Sequence, residues 1–396
     1  MPPSFAIVYV APFGLAHKTT VWARTLPLAE GLVARGHTAT ILVPPWDSPE
    51  DAGKSRVHNG VHIEQMTLQG GPASVVRRMV RRIGELAPQI VHIVKPRAHA
   101  GLVQWWLWQT RRKRRPAILL DVDDWEQAWA QINQYPWPVA RFLAWQEEWG
   151  IRHADGITAA SQWLMERTAA AAPSIPRLYL PNGVTPPTPQ ADTATAEASP
   201  TKTMPSGPPQ ILFFTRFVEV TPDWLRRCWV ALRRAVPQAE LLIAGRPLAP
   251  GLESGFRNAL AGLPGVHWLG FVPPERLPGL YARCACAIFP AMPIPLHQAK
   301  CSVRLATTLL HGVPVVASAV GEQAAYGAAG AAQLVAAEAT PEQFAGAVAE
   351  LVATPAARAG LAERARTQLL ERYRWERLVI ELEGFYAATV AAARLR

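Results

Sequence analysis

The sequence predicts an α/β protein built from two doubly wound, Rossmann-like domains facing across a cleft. Three observations carry that expectation. Short continuous apolar strands alternate with helical stretches along the whole chain, the pattern of a parallel sheet covered on both faces. One stretch, 186–209, is rich in Pro, Thr, Ala and Ser, lacks aromatics, and cuts the 396 residues nearly in half. Each half then opens alike, with a β-rich run, a turn and a helix. The length suits two domains of roughly 150–200 residues each. The expected division is an N-terminal domain over 1–185, a flexible linker over 186–209, and a C-terminal domain over 210–375. A last helix over 376–396 could return to the N-terminal domain.

The elements follow in order. Ser4 to Val10 is the opening strand; it ends at Pro12 and Gly14 and leads into a helix that stops at Gly36. Strands are then expected over Thr38–Val43, Ile90–Val94, Ala117–Val122, Gly156–Ala159 and Arg177–Leu180. After the linker, Ile211–Phe214 opens the second domain, followed by Glu240–Ala244, Val266–Leu269, Cys286–Phe289 and Val313–Ala317. No repeat of solenoid period is present.

Composition narrows the class further. Hydrophobics at 49% and charges at 18% describe a globular chain, and no apolar run reaches the roughly 18 residues of a bilayer span. Met1-Pro2-Pro3-Ser4 offers no basic n-region or cleavage site, so no signal peptide is expected. The four cysteines, Cys228, Cys284, Cys286 and Cys301, form no C-x-x-C pair, which excludes a disulfide scaffold and leaves a zinc site without support. The expectation is a reduced cytoplasmic protein, able to sit peripherally on the inner face of a membrane.

The net charge of +10 is concentrated in one place. Residues 77–115 hold eleven Lys and Arg against one acid, Glu85, and the rest of the chain is neutral. Trp105, Trp106 and Trp108 run into Arg111, Arg112, Lys113, Arg114 and Arg115, while Arg77, Arg78, Arg81 and Arg82 share a helix face. Such a patch suits an anionic membrane surface, or a core helix with a wet basic end. Nucleic acid is not the expected partner.

Two phosphate-binding fingerprints are missing. No G-x-G-x-x-G follows either opening strand, which argues against a nicotinamide oxidoreductase. Phe13 to Thr20 lacks the glycines of a P-loop, although Gly14 could let a ligand approach the backbone.

Several stretches together resemble family 4 glycosyltransferases of the GT-B fold. They are Leu28 to Thr40 with its Arg35-Gly36-His37, Ala154 to Ser161, and Leu180-Pro181-Asn182-Gly183-Val184. Leu242 to Gly245, Val266 to Val272, and His311 to Ser318 complete the set. The resemblance implies a retaining, metal-independent, hexosyltransferase-like enzyme without a cofactor. It would take a sugar from a nucleotide-diphosphate donor, held mainly by the C-terminal half, to a saccharide or lipid-linked acceptor of the cell envelope. Departing diphosphate needs cations and helix N-termini. Arg216, Lys300 and Arg304 are the candidate cations, Ser302 and Val303 the candidate amides, and Gly14, Gly245 and Thr307 further donor contacts.

The family pattern is not complete. Its paired glutamates fall on Ala299 and Thr307, and its phosphate-binding lysine falls on Thr221. These losses keep open an alternative: a degenerate GT-B module that binds nucleotide, glycan or a partner protein without turnover. In the first half, Asp123 and Asp124 follow a strand where many relatives carry His-Asp, and they are the candidate catalytic residues. With Asp121 they place three carboxylates in four residues, so one should titrate high or need a cation.

Overall fold

The computed structural model describes residues 4–15, 20–110, 115–186 and 207–395. Most of the proposed linker, His17 and Lys18, and Arg111, Arg112, Lys113 and Arg114 lie outside the described residues. The chain divides into two compact units. One comprises 1–183, 299–301 and 375–396, and the other comprises 184–298 and 302–374.

The first unit holds an eight-stranded sheet. Its strands are β1 (Ala6–Val10), β2 (Thr38–Val43), β3 (Ser55–His58), β4 (Val61–Gln65), β5 (Ile90–Val94), β6 (Ala117–Val122), β7 (Gly156–Ala159) and β8 (Arg177–Tyr179). They lie in the order β3-β4-β2-β1-β5-β6-β7-β8, parallel except where β3 pairs antiparallel with β4. That hairpin was not foreseen, because β3 is exposed along its whole length and has no buried face to read. Its turn is nevertheless written locally: Asn59 and Gly60 both take positive φ, 46° and 83°, as a tight two-residue hairpin requires.

Helices α1 (Leu26–Ala34), α2 (Gly71–Leu86), α3 (Ala98–Gln109), α4 (Trp129–Ile132), α5 (Trp137–Arg152) and α6 (Gln162–Ala171) complete the N-terminal portion of this unit. The two faces of β1 alternate. Ile7 and Tyr9 join a core with Leu28 and Leu32 of α1, whereas Val8 and Val10 join another with Met79 of α2, Val103 of α3 and Leu164 of α6.

The second unit holds six parallel strands: β9 (Gln210–Phe214), β10 (Glu240–Ala244), β11 (Val266–Gly270), β12 (Cys284–Phe289), β13 (Val315–Ser318) and β14 (Gln333–Val335). Their order, β11-β10-β9-β12-β13-β14, is the doubly wound one, with the direction of winding reversing between β9 and β12. Among its helices are α7 (Pro222–Ala235), α8 (Leu252–Ala259), α9 (Leu277–Arg283), α10 (Pro295–Ala299), α11 (Val303–Leu310), α12 (Glu322–Gly327), α13 (Pro341–Ala353) and α14 (Pro355–Arg372). The last helix, α15 (Trp375–Leu395), packs on α1 and adds Leu378, Leu382 and Tyr386 to the first unit's core. The predicted doubly wound α/β class therefore holds for both units.

Among the described residues of 77–115, several cations turn away from the surface. Lys95 is 5% exposed and turned inward. Arg115 pairs with Asp155, and Arg82 reaches Glu64 with both Nε and Nη2 at 2.8 Å. Trp106 and Trp108 pack against the sheet, and only Trp105 of that trio is exposed. Charge counts along the chain cannot tell which cations point at carboxylates from other elements. Among the described residues, no helix is long and apolar enough to cross a membrane.

Candidate functional site

In the first unit the chemistry gathers at the C-terminal ends of β5 and β6, where ligands bind in open α/β sheets. The strands are parallel neighbours with Val94 opposite Asp121, so the residues just beyond them emerge side by side. Lys95 follows β5 with φ at +62°, and Ala98 has φ at +50°. Such conformations cost a non-glycine residue of order 1 kcal/mol or more and persist only where the surroundings impose them. Here the bend aims Lys95 inward. Its Nζ lies 3.0 Å from Asp123 Oδ1, 2.8 Å from Asp124 Oδ2 and 3.1 Å from Glu126 Oε1.

The expected crowding of carboxylates is resolved residue by residue. Asp121 faces Arg24, which donates from Nε at 2.8 Å and Nη2 at 2.7 Å. Burial alone would raise the Asp121 pKa, but Arg24 outweighs it and holds the group below the ordinary range. Glu126 is likewise kept low against burial, by Lys95 and by Arg97, which also donates to Tyr135. Asp123 goes the other way: burial pushes it up to about 7, against the pull of Lys95. Its Oδ1 is close to Nζ yet receives no hydrogen bond, which leaves that oxygen buried and poorly satisfied. Beneath them, buried Glu147 of α5 accepts from the amides of Glu126 at 2.8 Å and Gln127 at 3.2 Å.

Asp123, Asp124 and Glu126 are grouped closely enough to hold a metal ion. The ammonium of Lys95 already supplies positive charge to all three.

In the second unit the corresponding place is the C-terminal edge of β9 and β10. Phe214 stands opposite Ala244, so Arg216 and Arg246 leave adjacent parallel strands at matching positions. Between the two strand ends the backbones nearly touch. Gly245 has φ at +136°, and a Cβ there would lie 1.9 Å from Thr215 O, so only glycine fits. Arg304 of α11 reaches the same edge, donating from Nη1 to Phe214 O at 3.0 Å and from Nη2 to Glu219 Oε1 at 2.8 Å. Burial, with the charges of Arg304 and Arg246, lowers the Arg216 pKa below the usual guanidinium value. Arg216 Nε is buried without a hydrogen-bond partner among the described residues.

Glu219 organises this loop. It accepts from Thr215 Oγ1 at 2.8 Å and from the Val218 amide at 3.1 Å, and Phe217 between them takes φ at +63°. Glu219 pairs with Arg304 at 2.8 Å and also acts on the charge of Arg216, which Arg304 and Arg246 oppose, so positive charge exceeds negative at this edge. Ser302 caps α11, its Oγ accepting from the Leu305 amide at 3.3 Å, and Val303 opens the helix.

Comparison with known proteins fits this geometry. Residues 19–183 match the family described as "Glycosyl transferase 4-like domain", and residues 208–354 match "Glycosyl transferases group 1". The chain is a GT-B glycosyltransferase. A search of curated proteins found no match.

Among solved structures, the transferase is similar to sucrose-phosphate synthase from Thermosynechococcus elongatus, with 18% identity and a TM-score of 0.74 over 98% of this chain and 99% of the other. It is also similar to Anabaena Alr3699/HepE in complex with UDP-glucose, with 16% identity and a TM-score of 0.65 over 98% and 100%. The catalytic domain of starch synthase IV from Arabidopsis thaliana, bound to ADP and acarbose, gives 12% identity and a TM-score of 0.69 over 98% and 100%.

The candidate residues that the sequence offered fall into two groups. Asp123 and Asp124 come together in the first unit, while Arg216, Gly245, Ser302, Val303 and Arg304 gather around β9, β10 and α11 in the second. Lys300 is half-buried in the stretch 299–301, which belongs with the first unit. The Gly14 amide donates to Asp47 Oδ1 at 2.6 Å, and a Cβ there would meet Asp47 and Ser48, so local packing already accounts for that glycine. Thr221 caps α7, accepting from the Trp224 amide at 3.1 Å, and Ala299 is buried in the first unit's core. Thr307 is half-buried on α11.

Sequence reasoning missed Arg246, Glu219 and the inward role of Lys95. Arg246 had a usable signal, since it directly follows Gly245 at a predicted strand end. The other two had none.

Proposed function

We propose that this transferase is a retaining, metal-independent enzyme moving a hexose from a nucleoside-diphosphate donor to a cell-envelope saccharide, free or lipid-linked. The observation that carries the proposal is the concentration of positive charge at the ends of β9 and β10, where Arg304 pairs with Glu219 and the buried Arg216 feels the charges of both Arg304 and Arg246. The reaction breaks the bond between the sugar's C1 and the diphosphate oxygen, leaving the electron pair on the diphosphate. Fixed cations stabilise that developing charge without a metal. The acceptor hydroxyl forms the new bond to C1 from the same face, and its proton passes to the departing phosphate oxygen. Arg246 takes the part of the lysine that Thr221 replaces. Asp123 and Asp124 orient hydroxyl groups, Asp123 as a group able to donate or accept near neutral pH. The UDP-glucose and ADP complexes of similar structures agree with a nucleoside-diphosphate donor.

Thermal unfolding with UDP-, GDP-, ADP- and dTDP-linked sugars tests the donor. A ligand at about a hundred times its Kd stabilises the native state by roughly 2.7 kcal/mol. No shift with any of the four would end the proposal. A second reading, binding without turnover, is favoured by Ala299 and Thr307 at the usual glutamate positions. A donor that binds but is neither transferred nor hydrolysed would establish it.

A further inference from the structure

The outer surface of one helical layer carries an aromatic stripe that the unit itself does not cover. Helices α2, α3 and α5 are successive neighbours on the first unit's sheet. On α5, Leu143, Gln146, Glu147 and Gly150 are buried. The opposite side exposes Trp137 at 73%, Phe142 at 42% and Trp145 at 43%. Their spacing keeps them on one helical stripe, with Arg141 between them. Phe142 stacks on Trp145 at 5.8 Å between ring centroids, and Arg141 lies over Trp137, also at 5.8 Å. These contacts order the rings before any partner arrives, which lowers the entropic cost of binding.

The charge on this layer has a definite sign. Arg77 on α2 and Arg141 on α5 pair with no carboxylate among the described residues. Of the acids on α2, α5 and α6, Glu85 pairs with Arg81 and Arg82, Glu148 with Arg152 and Arg167, and Glu166 of α6 is exposed, so cations still outnumber acids on this layer. An exposed stripe of aromatic rings with Arg141 among them, on a layer rich in arginine, matches the interface of an anionic bilayer, where rings sit at headgroup depth and guanidinium groups meet phosphate. A saccharide platform would call for neutral hydrogen-bonding side chains beside the rings, and this stripe presents arginine instead.

We infer that the outer face of this helical layer docks the protein on an anionic lipid bilayer through Trp137, Phe142 and Trp145 of α5, with Arg141 of α5 and Arg77 of α2, on the far side of α3, meeting the headgroup phosphates. The inference goes beyond the transferase reading and stands without it, because docking needs no donor. It has a consequence for the site in the same unit. Glu147, on the reverse of α5, holds the amides of Glu126 and Gln127, so the carboxylate loop would lie about one helix diameter, ~10 Å, from the headgroups. A lipid-linked acceptor suits that distance.

The test is flotation of the full chain with vesicles of phosphatidylcholine alone, or of equal parts phosphatidylcholine and phosphatidylglycerol, at low and high salt. Wild type should float with the anionic vesicles and only weakly with the neutral ones. Replacing the three rings together (Trp137→Ser, Phe142→Ser, Trp145→Ser) should weaken partition at both salt concentrations, on the order of tenfold or more. Arg77→Gln with Arg141→Gln should weaken it on the order of tenfold at low salt and little at high salt. All five side chains lie at the surface, and circular dichroism confirms that the variants fold. As a milder probe, Trp137→Phe should reduce quenching of tryptophan fluorescence by brominated lipid. Wild type that ignores anionic vesicles, or a ring variant that floats like wild type, overturns the inference. So does a wild-type dimer that the ring variant dissociates, which would give the face to a second copy, or displacement from vesicles by a soluble glycan.

Discussion

Replacing Lys95 with methionine keeps most of the side-chain volume and deletes one buried charge. The ammonium serves three carboxylates at 2.8–3.1 Å, and its side chain is 6% exposed. Removing one partner of a buried ion pair costs about 3–5 kcal/mol, chiefly because the remaining charge is left without compensation. Two features favour the lower end of that range. Arg97 still neutralises Glu126, and Asp124, with its side chain 22% exposed, can regain water. The expected loss is about 3 kcal/mol near pH 8. The loss should shrink toward pH 5, with a definite sign. Without Lys95 the folded-state carboxylates titrate higher than their unfolded counterparts, so the variant loses stability as pH rises through those values. Urea unfolding near pH 5 and pH 8, read by both fluorescence and circular dichroism, measures the difference; two probes are needed because the two units can unfold separately. Lys95→Arg should recover part of the loss. A deficit below about 1 kcal/mol, or one identical at both pH values, would refute the electrostatic account of this cluster.

Three further outcomes are expected. Arg216→Ala should weaken binding of UDP by about 1.5–3 kcal/mol, and Arg246→Ala by less because that side chain is exposed, while uridine binding stays unchanged; calorimetry showing equal loss for UDP and uridine would move the diphosphate elsewhere. Thr307→Glu should tighten donor binding if the ribose lies beside α11, and a folded variant with unchanged affinity would show that the pocket is built differently. His92 donates or accepts at Tyr386 OH and Thr158 Oγ1, and burial lowers its pKa to about 4. Because the folded value lies below the unfolded one of about 6.5, the stability this site contributes is present above pH 6.5 and lost as pH falls toward 4, by up to roughly 3 kcal/mol. His92→Gln should flatten that acid-side slope in urea titrations, and an unchanged slope would assign acid sensitivity to other groups.

Much of the fold is legible locally. The runs Thr38–Val43, Ile90–Val94, Ala117–Val122 and Gly156–Ala159 are strands with those bounds. Continuous apolar side chains between turn residues suit a strand buried on both faces. The three unforeseen strands lack that pattern: β3 is exposed, β4 alternates buried and exposed residues, and β14 has three residues. At the site, Asp123 and Asp124 stood out because the resemblance puts them where relatives carry His-Asp, and because with Asp121 they crowd three carboxylates into four residues; Arg216 and Arg304 stood out because each flanks a strand end or helix start. The basic segment was legible only as a sum of charges, without their directions. Lys95 and Arg97 raise its charge in the sequence, but both turn toward Glu126. Its tryptophans Trp106 and Trp108 pack inward, and the exposed rings lie on α5.

The sequence by itself determined the class and order of the elements, because strand and helix formation depends on the spacing of apolar side chains along a few consecutive residues. It also placed the strand ends, where backbone and charge meet ligands. Only the tertiary structure decided which charges act together. Lys95 and Asp123 are 28 residues apart, and Arg216 and Arg246 are 30 apart. Parallel pairing of β5 with β6, and of β9 with β10, brings each pair to adjacent strand ends in a fixed register. A charge in a sequence has a sign and no direction; its direction, its desolvation and therefore its pKa come from the strands that pair beside it.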